Sequence, residues 1–232
     1  MDNLILTSNI NKDKYTNYVC EKYDIQDYEK SETIIPIVNF NDLDKIEWNI
    51  ALVVGNSGSG KSTLLKSLRE PKNASYDYSK SCISQFDNIS ESEICDVFHG
   101  VGLSSIPTWL RKPNELSNGE KARLDLAYYI ITTPINEWIM IDEYSSVVNR
   151  SCAMSMSYAF QRYIRKHNRK ALLFSCHFDI IDWLNPDVIF NLNKQKDGIV
   201  ETEHLIYENS KEYAKMKTIS ENEVLSENIE IK

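Results

Sequence analysis

Short apolar runs alternate with segments of helical periodicity through the central part of the chain. Three continuous apolar runs predict buried strands, at 49–54, 137–141 and 171–175. Three neighbouring segments place apolar residues on one helical face, at 60–69, 117–133 and 150–166. Since buried strands that alternate with helices are typical of a parallel sheet covered on both faces, the pattern predicts an α/β fold with a mostly parallel central sheet.

Weaker patterns predict smaller elements around this framework. We expect strands at 33–38 and 81–85 and a helix at 90–98. A final hairpin is expected between 188–192 and 198–205. Pro36 restricts its strand to an edge position. Ser90 and Glu93 form a capping-box pattern at the start of the helix, and Gly100 is expected just past its end.

Length and composition exclude several classes of protein. The chain has 232 residues, 42 % of them hydrophobic and 26 % charged, which indicates one ordinary globular domain. A net charge of −8 argues against a general nucleic-acid binder, although a local basic patch is compatible with it. Five cysteines without a C-x-x-C pair are typical of reduced thiols in a cytosolic protein. No apolar run approaches the roughly 18 residues of a membrane helix, and no signal peptide is apparent, so we expect a cytoplasmic protein without direct membrane insertion.

A glycine-rich loop supplies the first candidate chemistry. The segment Gly55-Asn56-Ser57-Gly58-Ser59-Gly60-Lys61-Ser62 fits G-x-x-x-x-G-K-[ST] between a predicted strand and a predicted helix. Successive backbone N–H groups and the helix N-terminus then form a concavity that binds phosphates. We expect Lys61 to reach the β- and γ-phosphates, Ser62 to bind Mg²⁺ and Thr63 to contact another phosphate.

Two acids follow the apolar strand at 137–141. Carboxylates at the exit of a buried strand are costly unless they bind a metal or take part in chemistry. Asp142 is the expected Mg²⁺ partner, through water, and Glu143 is expected to polarise an attacking water.

The segment Leu116-Ser117-Asn118-Gly119-Glu120 lies 25 residues before Asp142. It resembles the LSGGQ or LSGGE signature of the ABC-class ATPases, with Asn118 in place of one glycine. Asparagine tolerates positive φ better than most residues, so we expect the turn to survive this exchange. Ser117 and Glu120 also fit a helix-capping box, and both interpretations can hold together.

The resemblance extends to further positions between 50 and 187. Gln85 is similar to the family's Q-loop glutamine, a Mg²⁺ and water ligand, and His177 to its switch histidine at the γ-phosphate. The D-loop corresponds to 145–149, where Asn149 stands in place of the usual aspartate. This exchange leaves open how strongly the two subunits contact each other.

The family implies a P-loop NTPase of the ABC type with a reduced helical subdomain, a short insert at about 86–116. Residues 49–208 form the ATPase domain in this interpretation, 1–48 a strand and arm packed on it, and 209–232 a C-terminal helix or tail. The resemblance implies that Mg²⁺ and ATP bind between the phosphate loop of one subunit and the signature of the other, in a head-to-tail homodimer that hydrolyses ATP.

The cellular role stays open at this stage. Segments 48–50, 107–111 and 176–187 resemble a group of stand-alone bacterial and phage ABC ATPases, some of them fused to a GNAT-type acetyltransferase domain. This favours an ATPase that drives or gates an unknown soluble protein partner. The alternatives are a transporter ATPase subunit, a DNA-maintenance or phage-defence ATPase, and a slow nucleotide-gated switch.

Three aromatic residues carry more general expectations. Tyr28 and Phe40 are candidates for stacking on adenine, because the family places an aromatic residue upstream of the phosphate loop. Trp183 is expected in the core, since apolar residues flank it in a predicted helix.

Overall fold

A computed structural model describes residues 4–25, 30–87, 89–196 and 199–204. Within these ranges the α-helices and β-strands run in the following order: β1 Leu4–Asn9, α1 Lys14–Lys22, β2 Lys30–Ile35, β3 Ile50–Val54, α2 Lys61–Leu68, α3 Glu91–Gly100, α4 Ile106–Trp109, α5 Asn118–Thr132, β4 Ile139–Ile141, α6 Arg150–Lys166, β5 Ala171–Ser175, α7 Ile180–Leu184, β6 Val188–Lys196 and β7 Ile199–His204.

The central sheet has the strand order β4-β5-β3-β6-β7. Its first four strands are parallel, and β7 pairs antiparallel with β6 as the predicted final hairpin. Every residue of β3 and β5 is buried, as expected for parallel strands covered on both faces. The predicted α/β fold with a mostly parallel central sheet is therefore confirmed.

The two faces of this sheet carry separate hydrophobic clusters. Ile50, Leu52 and Val54 of β3 pack with α3, α5 and α6 on one face, whereas Ala51 and Val53 pack with α2 and the segment before β3 on the other. Since alternate residues of a strand point to opposite faces, one continuous apolar run serves both clusters. Because β4, β5 and β3 are parallel neighbours, their carboxyl ends meet on one side of the sheet, where parallel sheets bind their ligands.

A second, two-stranded sheet precedes the central one. Strands β1 and β2 pair antiparallel, with Leu4 opposite Ile35, and α1 connects them. The strand predicted at 33–38 lies earlier, at Lys30–Ile35, and ends before Pro36. This fits the chemistry of proline, which has no N–H to donate to a strand ladder. Ile35 is buried beside the phosphate loop, so β2 packs against the predicted site.

Two local predictions are wrong. The predicted strand at 81–85 is a 3-10 helix, Cys82–Gln85, because the Gln85 side chain bonds to preceding backbone groups instead of leaving the chain extended. Gly100 is the last residue of α3 instead of following it, and Gly102 takes the left-handed conformation at φ 80°. A Cβ on Gly100 would lie 2.0 Å from the Tyr163 ring, so packing of α3 on α6 explains this glycine.

Residues 86–116 contribute α3, α4 and a 3-10 turn at Pro113–Glu115. The boundaries proposed at 48, 49, 208 and 209 stay predictions, and the tail at 209–232 lies outside the described residues. Among the helices that the structure describes, none combines the length and apolar character needed to cross a membrane.

Candidate functional site

The phosphate-loop segment connects β3 to α2, as the sequence predicts. Gly58 and Gly60 have φ angles of 80° and 90°, the left-handed region that side chains rarely adopt. A Cβ on Gly60 would also lie 2.8 Å from Cδ1 of Ile35. The glycines of the motif therefore meet two separate demands, a left-handed backbone and a close approach of β2 to the loop.

Lys61 is the first residue of α2, and its side chain is folded back into the loop. Its Nζ donates to the carbonyl oxygens of Gly55 at 2.8 Å and Asn56 at 2.7 Å. Ser59 Oγ lies 3.4 Å from the same nitrogen. Burial lowers the pKa of Lys61, while Cys176, Asp142 and Glu143 nearby act in the opposite direction. The arrangement keeps one positive charge at the mouth of an otherwise neutral loop.

A cavity of about 410 Å³ opens beside this lysine. It is lined by Ile35, Ser57, Gly58, Gly60, Lys61, Ser62, Thr63, Asp142, Glu143, Ser146 and Cys176. The structure thus brings the predicted loop and the predicted carboxylate pair to one cavity. Its walls carry one cation and two acids, and Ser62 and Thr63 add hydroxyl groups.

Asp142 and Glu143 follow β4 directly. Oδ1 of Asp142 accepts a hydrogen bond of 2.9 Å from the backbone N–H of Glu143. Glu143 has a left-handed backbone at φ 48°, and Ser146 donates to its carbonyl through both N–H and Oγ, at 2.9 and 2.7 Å. Strained backbone of this kind is typical of functional sites.

The signature residues lie at the start of α5 and form the predicted capping box. Ser117 is the N-cap, and its N–H and Oγ both donate to Oε2 of Glu120, at 2.9 and 2.8 Å. These bonds lower the pKa of Glu120. Oε1 of the same carboxylate accepts from Thr108 Oγ1 at 2.9 Å, so α4 is tied to the signature.

Two residues of the signature behave differently from a turn of two glycines. Asn118 is the first helical residue of α5 and does not have positive φ, so its tolerance of left-handed backbone is not used. Gly119 is required by packing, because a Cβ there would lie 2.8 Å from Sγ of Cys152 in α6. Neither residue lines the cavity.

Gln85 and His177 are placed outside the lining of the cavity. The Gln85 amide accepts from Asp77 N–H at 2.8 Å and donates to the carbonyls of Asp77, Lys80 and Ser81. It therefore holds the preceding turn in the described conformation. His177 is half-buried just beyond β5, next to the lining residue Cys176.

Asn149 ends the predicted D-loop and caps α6. Its Oδ1 accepts from the N–H of Cys152 at 2.8 Å, and an aspartate oxygen could accept the same bond. Asparagine at this position therefore keeps the cap without adding a charge.

Sequence reasoning named no individual site role for three lining residues, Ile35, Ser146 and Cys176. Ser146 lies within the predicted D-loop at 145–149 and Cys176 precedes His177, so their place in or beside the motifs was an available signal. Ile35 comes from a separate sheet, and no sequence pattern relates it to the loop.

The aromatic candidates differ in their surroundings. Phe40 is buried against Phe190, with ring centroids 5.1 Å apart, so its ring belongs to the core. Tyr28 lies outside the described residues. Trp183 is half-buried in α7 and packs against the first cluster, and the guanidinium of Arg150 lies 5.1 Å from its ring centroid.

The tertiary structure has relatives among solved proteins. The dimeric structure of MJ0796, a bacterial ABC transporter cassette, superposes with a TM-score of 0.54 and 14 % identity, over 88 % of this chain and 99 % of that one. The post-hydrolysis state of the same ATP-binding cassette, bound to ADP and Pi, gives a TM-score of 0.55 over the same shares, also at 14 % identity. The chain has the fold of an ABC ATPase cassette.

Neither a family model nor a curated protein matches the sequence. At 14 % identity, the likeness to these structures is one of fold.

Proposed function

We propose that the protein is an ATP hydrolase of the ABC type. The observation that carries this proposal is the single cavity that joins a lysine-bearing phosphate loop to Asp142 and Glu143. Loop amides and the N-terminus of α2 suit phosphate groups, while a strand-end carboxylate with a strained backbone suits activation of water. The cassette fold is consistent with this chemistry.

The residues of the cavity fit a nucleotide with Mg²⁺. Ser62 and Asp142 both line it and offer hard oxygen atoms, which Mg²⁺ prefers, together with water and substrate phosphates. Bound Mg²⁺ would neutralise phosphate charge during transfer. On the protein side, Lys61 binds the outer phosphates and Thr63 contacts another phosphate. Glu143 orients water for attack.

The proposed reaction needs a second copy of the chain. Ser117 and Asn118 are exposed at the N-terminus of α5 and do not line the cavity. In a head-to-tail homodimer, residues 117–120 of one protomer close over the phosphate loop of the other and present N–H groups to the γ-phosphate. Each ATP then lies between two protomers, and its loss releases them.

Two sites remain proposals from the family resemblance alone. His177 would contact the γ-phosphate from its place beside Cys176, although it does not line the cavity itself. Gln85 would bind Mg²⁺ only after giving up the hydrogen bonds that hold the turn at 77–81. ATP binding is therefore expected to rearrange this turn if Gln85 acts as a ligand.

We favour a stand-alone ATPase that drives or gates a soluble protein partner, since the short insert at 86–116 leaves little room for a membrane-subunit groove. A transporter subunit, by contrast, would co-purify with a membrane protein through this insert. Stimulation by DNA would instead favour a DNA-maintenance or phage-defence role, and turnover only with a partner would favour a nucleotide-gated switch.

The test is the variant Glu143→Gln. It should retain ATP binding and lose turnover, because the amide cannot accept a proton from water but keeps the size of the side chain. The protein should also accumulate as an ATP-bound dimer in analytical ultracentrifugation, since hydrolysis no longer releases it. Phosphate release and nucleotide binding are measured on the same samples.

Glu137→Gln serves as the control, because this half-exposed carboxylate pairs with Arg69 before β4 and lies outside the cavity. A Glu143→Gln protein that hydrolyses ATP at the wild-type rate as a monomer would contradict the proposal.

A further inference from the structure

One buried hydroxyl joins the two segments that carry Glu143 and His177. Ser175 is the last residue of β5, and its side chain is fully buried. Its Oγ donates to the carbonyl oxygen of Tyr144 at 2.9 Å. The same Oγ accepts from the backbone N–H of His177 at 3.1 Å. The hydroxyl therefore both donates and accepts a hydrogen bond. Its two partners directly follow the cavity-lining residues Glu143 and Cys176.

The backbone of Tyr144 is held by hydrogen bonds at both its N–H and its carbonyl. Its N–H donates to the carbonyl of Phe174 at 2.8 Å, and its carbonyl accepts the bond from Ser175. Glu143 precedes this peptide and has a left-handed backbone, a conformation that persists only where surrounding contacts impose it. The direction of the Glu143 carboxylate consequently depends on where Tyr144 is held.

We propose that Ser175 is a positioning residue for ATP hydrolysis, which keeps Glu143 and His177 at a fixed separation across the site. The inference rests on the proposed ATPase function. Ser175 does not line the cavity and acts through its two backbone partners. Its loss therefore affects the geometry of water attack, while the phosphate loop and Lys61 still bind nucleotide.

The test compares Ser175→Ala with Ser157→Ala. Ser157 is also fully buried, and its Oγ lies 3.0 Å from the Tyr144 hydroxyl. Both variants remove one buried hydroxyl next to the same tyrosine, but only Ser175→Ala removes the ties to the backbone. Ser175→Cys gives an intermediate case, because a thiol has similar size and is a weak donor and acceptor.

Turnover and ATP affinity are measured separately, together with thermal unfolding. We expect kcat of Ser175→Ala to fall by roughly 10-fold to 100-fold, since displacements of about 1 Å have effects of this order. The Kd for ATP should stay within about twofold, which separates positioning from binding. Ser175→Cys should fall between wild type and Ser175→Ala, and Ser157→Ala should keep the wild-type kcat.

Three results would overturn the inference. The positioning role is refuted if kcat is unchanged in Ser175→Ala, or if kcat falls equally in Ser157→Ala. In both cases turnover by the wild-type protein would still support the ATPase proposal. If Ser175→Ala does not fold, a wild-type kcat in Ser175→Cys would also overturn the positioning role. Absence of turnover in the wild-type protein, both alone and with DNA, membrane extract or soluble cell extract, would instead refute the ATPase proposal itself.

Discussion

Lys61 is held in place by the backbone of its own loop. Its ammonium group bonds to the carbonyls of Gly55 and Asn56, so its position does not depend on a carboxylate partner. Its pKa lies below 10.5 because it is buried. The charged amine therefore costs stability at neutral pH, and this cost decreases as the pH rises towards 10.5, where the unfolded chain also loses its proton. Phosphate oxygens at the cavity would compensate the charge directly.

Lys61→Ala should weaken ATP binding by about 10-fold to 100-fold, the effect of losing hydrogen bonds to a charged group worth about 1.5–3 kcal/mol. The measurement is a titration with a fluorescent nucleotide. Lys66→Ala is the matched control, because Lys66 lies on the exposed side of the same helix. Equal affinity in the two variants would count against a phosphate role for Lys61.

The contact between α5 and α6 places the signature relative to the D-loop. Gly119 faces Cys152 so closely that a methyl group would lie 2.8 Å from its Sγ. Arg123 Nη2 adds a hydrogen bond of 2.8 Å to Ser155 Oγ one turn further along. The glycine of the signature thus serves helix packing in the monomer as well as the proposed dimer.

A double-mutant cycle of Gly119→Ala and Cys152→Ala tests this contact. Gly119→Ala should destabilise the parent protein, because overpacking costs about 1–3 kcal/mol. In the Cys152→Ala background the same change should be stabilising by about 0.5–1 kcal/mol, since alanine favours a helix over glycine. Urea unfolding of the four proteins gives the coupling energy, and additive effects would refute the close contact.

At the level of the whole molecule, the proposed site is divided between two surfaces. The lining of the cavity beside β3 and β4 does not include Ser117 and Asn118, which are exposed at the start of α5. The net charge of −8 does not oppose nucleotide binding, because Lys61, loop amides and a helix terminus concentrate positive potential locally. In the proposed head-to-tail dimer, a complete site contains one surface from each chain.

Mixing two inactive variants tests this arrangement. Lys61→Ala lacks a working phosphate loop, and Asn118→Arg places a bulky group on the exposed signature. Each mixed dimer contains one site built from two wild-type surfaces. An equal mixture should recover about a quarter of wild-type turnover, because half of the randomly formed dimers are mixed and each has one intact site.

Phosphate release is measured on each variant alone and on the mixture. Recovery should be absent when Lys61→Ala is mixed with a Lys61→Ala, Asn118→Arg double variant, which offers no intact phosphate loop. An inactive equal mixture of the single variants would argue against the head-to-tail dimer.

The sequence determined the central strands, the main helices and the loop motifs, because these depend on local patterns. β3, α6 and β5 follow directly from apolar runs and helical periodicity, and the glycines around Lys61 follow from the backbone that a phosphate loop needs. The capping boxes at Ser90 and Ser117 are likewise short-range, with partners three residues apart.

Tertiary packing decided the contacts between distant segments. Ile35 reaches the phosphate loop from another sheet, and Gly119 faces Cys152 of α6. The outcomes at Gln85 and Asn118 are local instead, because hydrogen bonds between residues close along the chain fix both segments. Ser175 reaches the carbonyl of Tyr144 only because β4 and β5 end side by side, whereas its bond from His177 is local. Hydrophobic periodicity predicts which face of its own helix or strand a residue occupies. Contacts between residues far apart in sequence are decided only when the helices and strands pack together.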